Sequence, residues 1–427
     1  MKSRYFILSI MLAVVFQLSA QTETTAVRKD YGALANYDES KIPDYTLPDP
    51  LTLNNGKKVT SVKVWEKKRR PEIFEMFETQ MFGRAPEKPA DMHFKTVSVN
   101  PNSLGGKATR KDIVIYFEKG ETPQHMNLRI YVPNQAKKPV PLFLGISFGP
   151  NYTVVDDPDI IVTPPSDPTV RSRNSRGSAA SSWQLDMLLD RGYGLATFHS
   201  ADLDPDTDDF SNGVHTMYYK EGQTHPAPDE WGTLAAWAWG ASRALDYMET
   251  DDDIDHDRVG IIGHSRNAKA AVWAGAADER FALVLSGNSG CCGVALSKRK
   301  YGETVEAMNV RFPHWFCYNY KQYNDKEDEM PFDQHELVAL IAPRPIYIAS
   351  AEDDRWSDPK GEFLGGKHAE PVYALYGLQG IGVEDWPAVN QFYDKGYIGY
   401  HVRSGGHAVT KVDWEHFLDF ADIHFGK

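Results

Sequence analysis

The stretch that decides the fold is RVGIIGHSRNAKAAVWAGA, residues 258–276. Its first five residues are mostly apolar and include β-branched side chains, which is typical of a buried strand. Its last part is rich in Ala and predicts a helix. The turn between them, Gly263-His-Ser-Arg-Asn267, places a Ser where a nucleophile elbow requires it. The hydroxyl of Ser265 would then be exposed, and the next backbone N–H would be free to bind an oxyanion.

Strand-like and helical patterns alternate on both sides of this stretch. Strands are predicted at Tyr193–Phe198, Arg258–Ile262, Phe281–Leu285, Pro345–Ala349 and Ile398–Arg403. Helices are predicted at Trp183–Leu189, Trp231–Met248, Arg266–Ala276, Pro359–Leu375 and Trp414–Phe425. A helix over Trp65–Phe82 and short alternating runs between residues 93 and 146 come first. This order predicts an α/β-hydrolase fold, a three-layer α/β/α sandwich with a mostly parallel central sheet.

The N-terminus predicts export. A basic start, the apolar run Phe6–Leu18 and the small pair Ser19-Ala20 indicate a signal peptide over residues 1–20. The apolar run is too short to span a bilayer comfortably, which disfavours a membrane anchor. We expect a periplasmic or secreted protein with an irregular leader at 21–60 and one catalytic domain at 61–427. Long polar insertions at 155–180, 200–230 and 286–335 are predicted to lie at the carboxyl ends of strands, where active sites are built.

Charge and cysteine content exclude several function classes. The formal charge is −13, and it becomes −15 when Lys2 and Arg4 leave with the signal peptide. Binding to nucleic acid or to an anionic membrane is therefore not expected. No sequence motif indicates a metal or an organic cofactor. The cysteines, Cys291, Cys292 and Cys317, allow either one disulfide from the 291/292 pair to Cys317 or three buried thiols.

A base and an acid follow the candidate nucleophile in the expected chain order. Asn267 replaces the usual second Gly of the elbow, so the motif alone also fits an ordinary Ser N-cap. However, Gly405-Gly406-His407 comes directly after a predicted strand, and Asp354 lies in an acidic loop after the preceding one. Glu352, Asp353 and Asp358 lie in the same loop, and position within it favours Asp354, with Asp353 second. Ser265, His407 and Asp354 together predict a catalytic triad for acyl transfer.

The same blocks resemble a known family. Gly263–Lys269 is similar to the Gly-x-Ser-Arg-x-Gly-Lys signature of the glucuronoyl esterases, carbohydrate esterase family 15. Further matching blocks are Gly287-Asn-Ser-Gly290, Phe312-Pro-His-Trp315, Phe332-Asp-Gln-His335, Ala342-Pro-Arg344 and Glu352–Pro359. The resemblance is to the bacterial type and covers most of the chain after residue 140. It implies cleavage of the ester between 4-O-methyl-glucuronic acid on xylan and alcohol groups of lignin.

The chain departs from the family pattern at two positions. Ala268 stands where the signature has Gly. Asn288 stands where the fungal members carry the Glu of their triad, and an amide cannot serve as an anionic partner. An Asp after the later strand, as in bacterial relatives, would take this role. The departure therefore favours Asp354.

The resemblance also implies substrate contacts. Arg266 would supply its backbone N–H, and its guanidinium, to the oxyanion hole. Lys269 would bind sugar hydroxyls, and Glu303, Arg311 and Trp356 would line the uronate pocket. A second oxyanion donor is expected near Phe148 or Gly149. From the residues alone, Arg266 and Lys269 could equally solvate a helix face, Glu303 and Arg311 could form an ion pair, and Trp356 could plug a loop.

The sequence thus predicts an exported serine esterase acting on esters of (4-O-methyl-)glucuronic acid in glucuronoxylan and lignin–carbohydrate material. It is expected to act as a monomer without a cofactor. The alternatives are an acetyl-xylan or feruloyl esterase on the same fold, or an inactive hydrolase homologue that binds carbohydrate.

Overall fold

A ten-stranded sheet forms the centre of the computed structural model, which describes residues 34–160 and 175–426. Its strands are β1 His93–Asn102, β2 Ala108–Tyr116, β3 His125–Pro133, β4 Val140–Ser147, β5 Gly194–His199, β6 Ile254–His264, β7 Leu283–Gly287, β8 Ile346–Ala351, β9 Gln391–Tyr393 and β10 Ile398–Arg403. The spatial order is β1-β2-β3-β5-β4-β6-β7-β8-β10-β9. The strands from β5 to β10 in this order are parallel, and β1, β2, β3 and β9 join antiparallel.

Helices cover both faces of the sheet. The α-helices of six or more residues in the described ranges are α1 Arg70–Phe77, α2 Leu185–Asp190, α3 Thr233–Met248, α4 Arg266–Ala277, α5 Val305–Arg311, α6 Gln334–Ala339, α7 Pro359–Leu375 and α8 Lys411–Phe425. Side chains alternate across the buried strands. Leu142 and Leu144 pack into the core shared with α3, α4 and α7, whereas Phe143 packs with α2 and α8. The predicted three-layer α/β-hydrolase fold is confirmed.

Several elements differ in extent from the prediction. The helical segment from residue 62 to 82 contains two π-helical turns around α1, with Pro71 tolerated near the start of α1. The predicted insertion 286–335 contains α5, and the short strand β9 has no counterpart in the sequence prediction. α8 begins three residues before the predicted start, at a capping box formed by Thr410 and Asp413.

Residues 34–60 have little regular structure and lie against the insertion 286–335. The backbone N–H of Gly302 donates to Asn36 O (2.6 Å), and Asn36 Nδ2 donates to Lys300 O (2.9 Å). Among the described residues, no helix is both long and apolar enough to cross a membrane. The predicted signal peptide and the first part of the leader lie outside the described residues, as do residues 161–174 of the first insertion.

The three cysteines are free and buried. Cys292 Sγ lies 3.2 Å from the Tyr320 hydroxyl, and Cys317 Sγ contacts Thr79 O at 3.7 Å. Of the two alternatives that the sequence allowed, the structure has the three thiols and not the bridge to Cys317.

Candidate active site

The elbow at Ser265 joins β6 to α4. Ser265 has φ +58° and ψ −128°, a conformation that costs about 1–3 kcal/mol and is concentrated at functional sites. Its N–H donates to Gly287 O (2.8 Å), which ties the turn to the end of β7. A Cβ on Gly263 would lie 2.0 Å from Asn267 O, so only Gly fits two positions before the Ser. The turn therefore has the backbone of a nucleophile elbow.

The elbow keeps its tight turn although Asn267 and Ala268 stand where the usual patterns have Gly. Asn267 is fully buried, and its Nδ2 donates to Ile146 O (3.0 Å) at the end of β4. Ala268 is fully buried in the first turn of α4. Asn267 thus forms a bond to the neighbouring strand that a Gly could not form, and the small side chain of Ala268 is accommodated.

His407 and Asp354 lie together at the carboxyl ends of β10 and β8. His407 Nδ1 is 2.7 Å from Asp354 Oδ2. Because a carboxylate only accepts, Nδ1 carries the proton and Nε2 is left with its lone pair. Burial opposes the ionisation of Asp354, but the hydrogen bond and charge of His407 outweigh it and lower the pKa of Asp354. The pair has the polarity of a base oriented by an acid.

The acidic loop offers no competing partner for His407. Asp353 and Glu352 are exposed, and within the described residues neither side chain bonds to His407. Asp358 is buried against Arg299, 2.9 Å from its Nε. Asn288, the departure from the fungal pattern, donates through Nδ2 to Asp354 Oδ2 (3.0 Å). The amide therefore supports the carboxylate that replaces the missing Glu.

The imidazole of His407 lies beside the elbow. Its ring centroid is 4.5 Å from that of His264, the residue before Ser265. Burial, and after it the charge of the neighbouring His407, lowers the pKa of His264 to about 3. His264 is therefore neutral and does not repel the protonated form of His407. Within the described residues, Ser265 Oγ makes no hydrogen bond. Such a bond between nucleophile and base is often long without substrate and shortens in the complex.

Comparison with known proteins gives consistent matches. A family model described as "Glucuronyl esterase, fungi" matches residues 179–377. A carbohydrate esterase of an unknown prokaryotic organism is 48% identical, and the match covers 91% of this chain and 92% of that protein. The glucuronoyl esterase from Solibacter usitatus is 48% identical with a TM-score of 0.87, covering 91% of this chain and 100% of that chain.

A third relative is described as a promiscuous esterase of the same family from a marine bacterial metagenome. It is 46% identical with a TM-score of 0.84, covering 91% of this chain and 100% of that chain. The chain belongs to the glucuronoyl esterases, carbohydrate esterase family 15. The predicted family resemblance is confirmed.

In this glucuronoyl esterase, Arg266 is held by residues from two of the predicted insertions. Its guanidinium pairs with Asp206, whose Oδ1 also accepts from His314 Nε2 (2.9 Å) and Trp315 Nε1 (2.7 Å). Burial disfavours the charge on Asp206, but these bonds and Arg266 lower its pKa to about 2. The Arg266 guanidinium also stacks over the Trp315 ring at 4.9 Å. The side chain is thus fixed beside Ser265, and its backbone N–H opens α4.

Lys269 differs from the expectation drawn from the resemblance. It is 2% exposed, and Nζ donates to Ser289 O (2.5 Å), Cys291 O (2.5 Å) and Glu303 Oε2 (2.7 Å). An ammonium has three donors, and all are used. In this structure no donor of Lys269 is left over for a sugar hydroxyl, so the contact with substrate that the resemblance implies stays a prediction. Lys269 instead anchors Glu303, whose other oxygen makes no bond within the described residues.

This arrangement makes Lys269 a stability determinant. Lys269→Ala should lower the free energy of unfolding by about 3–5 kcal/mol, because it leaves Glu303 and two carbonyl oxygens buried without a partner. Urea unfolding checks this, with Lys107→Ala as the control. Lys107 forms an exposed pair with Asp186, and its removal should leave the unfolding midpoint unchanged. An unchanged midpoint in Lys269→Ala would contradict the anchoring role.

Arg311 and Trp356 lie on the same side as Glu303. The backbone N–H of Glu303 donates to Trp356 O (2.8 Å). The Arg311 guanidinium lies 4.8 Å from the ring centroid of Phe312 and 6.0 Å from that of Trp356. Arg311 is exposed and Trp356 is half-buried. The structure therefore brings Glu303, Trp356 and Arg311 together around a surface with an acceptor, an aromatic face and a cation.

The loop after β4 carries the candidates for the second oxyanion donor. Gly149 N donates to Ser147 Oγ (3.3 Å), and Phe148 O accepts from His199 Nε2 (3.1 Å). The segment 146–149 lines a cavity of about 90 Å³ beside the elbow, together with Trp183 and His264. That the second oxyanion donor lies at Phe148 or Gly149 stays a prediction.

The sequence analysis did not identify Asp206, His314 or His199. His314 and Trp315 belong to a block that matches the family, but the sequence offered no partner that would reveal their function. Asp206 and His199 lie at or after the end of β5, where polar residues were expected without assignment.

One group of side chains in the described residues could hold a metal ion. Ligand atoms of Asp394, His416 and Asp419 lie within 4.8 Å of one another. Asp419 is already paired with Arg191, whose two terminal nitrogens are both 2.9 Å from Oδ1. The group shares no residue with the candidate triad.

Proposed function

We propose that this chain is an exported serine esterase that cleaves esters of (4-O-methyl-)glucuronic acid, such as the cross-links between lignin and glucuronoxylan. The 2.7 Å bond between His407 and Asp354 beside a strained Ser265 elbow carries the proposal. It supports acyl transfer, and membership of family 15 supports a uronate as the acyl group. We expect a monomer in the periplasm or outside the cell.

The proposed reaction has two halves. His407 Nε2 removes the Ser265 proton as Oγ attacks the ester carbonyl, and Asp354 stabilises the imidazolium. The N–H of Arg266 stabilises the oxyanion, and the fixed guanidinium adds positive charge nearby. His407 then protonates the leaving alcohol, which leaves a uronoyl group on Ser265. Water, deprotonated by His407, releases the uronate and restores Ser265.

Selection of a uronate is attributed to the surface formed by Glu303, Trp356 and Arg311. Glu303, held by Lys269, offers an acceptor to sugar hydroxyls. The Trp356 ring offers a face against which a sugar can pack, and Arg311 favours the anionic product. An acetyl group would use none of these contacts. A feruloyl group would use the aromatic face alone.

The test is a comparison of kcat/KM between esters with matched alcohols. Benzyl glucuronate is compared with benzyl acetate, and methyl glucuronate with methyl ferulate, with Ser265→Ala as the control. We expect preferences for the glucuronates of at least about 100-fold, because a site built for hydroxyl hydrogen bonds rejects analogues that lack them. Equal or reversed preferences would contradict the proposed acyl specificity.

A broader ester hydrolase is the second candidate, favoured by the relative described as promiscuous. Similar kcat/KM values on all four esters would support that reading, including an acetyl-xylan or feruloyl esterase. Binding of glucuronate without hydrolysis of any ester would support the carbohydrate-binding alternative.

A further inference from the structure

The loop that carries His407 has few contacts of its own. It joins β10 to α8, and Ser404, Gly406 and His407 are exposed. Gly405 has φ +92°, a conformation that favours Gly. Because Gly has no side chain, this position adds no packing contact to the loop. An exposed loop of this kind does not by itself fix an imidazole to the accuracy that proton transfer requires. Contacts from outside the exposed turn must therefore hold the His407 imidazole in place.

The side chain of Arg403 supplies three bonds to this loop. Arg403 is 4% exposed, and its guanidinium lies under the turn. Nη1 donates to Ser404 O (3.0 Å), and Nη2 donates to Gly406 O (3.1 Å) and to Ala408 O. These carbonyls flank His407 on both sides in the chain. The planar fork therefore determines the path of the backbone through His407.

Asp413 in turn fixes Arg403. Arg403 Nε lies 2.9 Å from Oδ2 and 3.1 Å from Oδ1 of the buried Asp413. His401 Nε2 bonds to Oδ1 (2.9 Å), and the N–H and hydroxyl of Thr410 donate to Oδ2 (2.6 and 2.7 Å). Burial works against the charge of Asp413, but His401 and Arg403 lower its pKa to about 2. It therefore stays ionised at neutral pH.

The acid loop is bound to the same segment. Glu352 N donates to Arg403 O (2.8 Å), and Asp353 N donates to Gly405 O (3.0 Å). The backbone that carries Asp354 is thus fastened to the backbone that carries His407. A shift of residues 403–406 would change the distance between the two side chains.

We propose that Arg403, anchored on Asp413, is a positioning residue that sets His407 for Asp354 and Ser265. The proposal deepens the proposed function, since it rests on His407 being the base. Arg403 reaches neither substrate nor nucleophile in this role and acts through the loop alone.

The test is Arg403→Lys, because Lys keeps the charge beside Asp413 but loses the planar fork. The matched control is Arg344→Lys. Arg344 also donates to three backbone carbonyls, those of Gly275, Asp278 and Phe281, but it lies just before the amino end of β8, away from the carboxyl ends of the strands. We expect kcat on benzyl glucuronate to fall about 100-fold in Arg403→Lys with KM unchanged. In Arg344→Lys, both constants should stay close to wild type.

Proton NMR gives a readout that does not depend on activity. A proton held between an imidazole nitrogen and a carboxylate resonates far downfield. The wild-type resonance is assigned to His407 by its loss in His407→Ala. We expect it to persist in Arg344→Lys and to be lost or strongly broadened in Arg403→Lys. If wild type hydrolyses no ester but this dependence holds, the proposed function fails and the positioning role stands.

Two results would overturn the inference. One is an Arg403→Lys enzyme that keeps the wild-type resonance and kcat. The other is an equal loss of kcat in Arg403→Lys and Arg344→Lys, which would indicate a general effect of removing a buried guanidinium.

Discussion

Ser265→Ala should lower kcat on benzyl glucuronate by about 10⁶-fold, because removal of the nucleophile of a triad leaves only binding and oxyanion stabilisation. The fold should be unchanged. Ala and Ser both have a Cβ, so the strain at φ +58° is the same in the two proteins. The measurement is the steady-state rate beside an unfolding curve.

Ser242→Ala is the matched control for this result. Ser242 lies in the second half of α3, the helix that leads to the start of β6, whereas the elbow follows the end of β6. Its substitution should leave kcat at the wild-type value. A Ser265→Ala enzyme that retains a tenth or more of wild-type kcat would show that another group is the nucleophile.

Asp354→Asn should reduce kcat by about 10⁴-fold. An amide at this position would offer its oxygen or its NH₂ to His407 without the charge that stabilises the imidazolium. The NH₂ would also favour the tautomer with the proton on Nε2, which cannot accept the Ser265 proton. Asn288 opposes this second effect, because its Nδ2 donates to Oδ2 (3.0 Å), the same atom that His407 contacts, and so favours an oxygen at that position.

Asp353→Asn is the control, with the same chemical change one residue earlier. Asp353 is exposed, so its substitution should alter kcat less than about twofold. The relevant measurement is kcat/KM against pH for both variants. A larger loss in Asp353→Asn than in Asp354→Asn would move the proposed acid to the neighbouring position.

The fold could be predicted because its signals are local. A strand, a tight turn and a helix follow one another at residues 258–276, and the later strands each precede a loop with candidate chemistry. The start of α8 was missed because it depends on a capping box. β9 was missed because three residues paired at a sheet edge leave no periodic pattern.

The sequence identified residues of the candidate site better than it predicted the contacts that those residues make. Asp353 and Asp354 are adjacent acids, and only the direction of each side chain distinguishes them. Lys269 was assigned to sugar binding from the family resemblance, and the residues alone fitted an exposed helix face equally well. Its actual partners lie 20 to 34 residues further along the chain. Long-range bonds of this kind, like those of Arg403 with Asp413, are decided by packing and leave no local signal.

The most direct test of the account is labelling with a fluorophosphonate in the presence and absence of benzyl glucuronate, followed by mass spectrometry of the peptides. The account predicts one adduct, on Ser265, whose formation slows as benzyl glucuronate is added and which is absent in Ser265→Ala. A label on another residue of the wild-type protein, or labelling of Ser265 that saturating benzyl glucuronate does not slow, would contradict it.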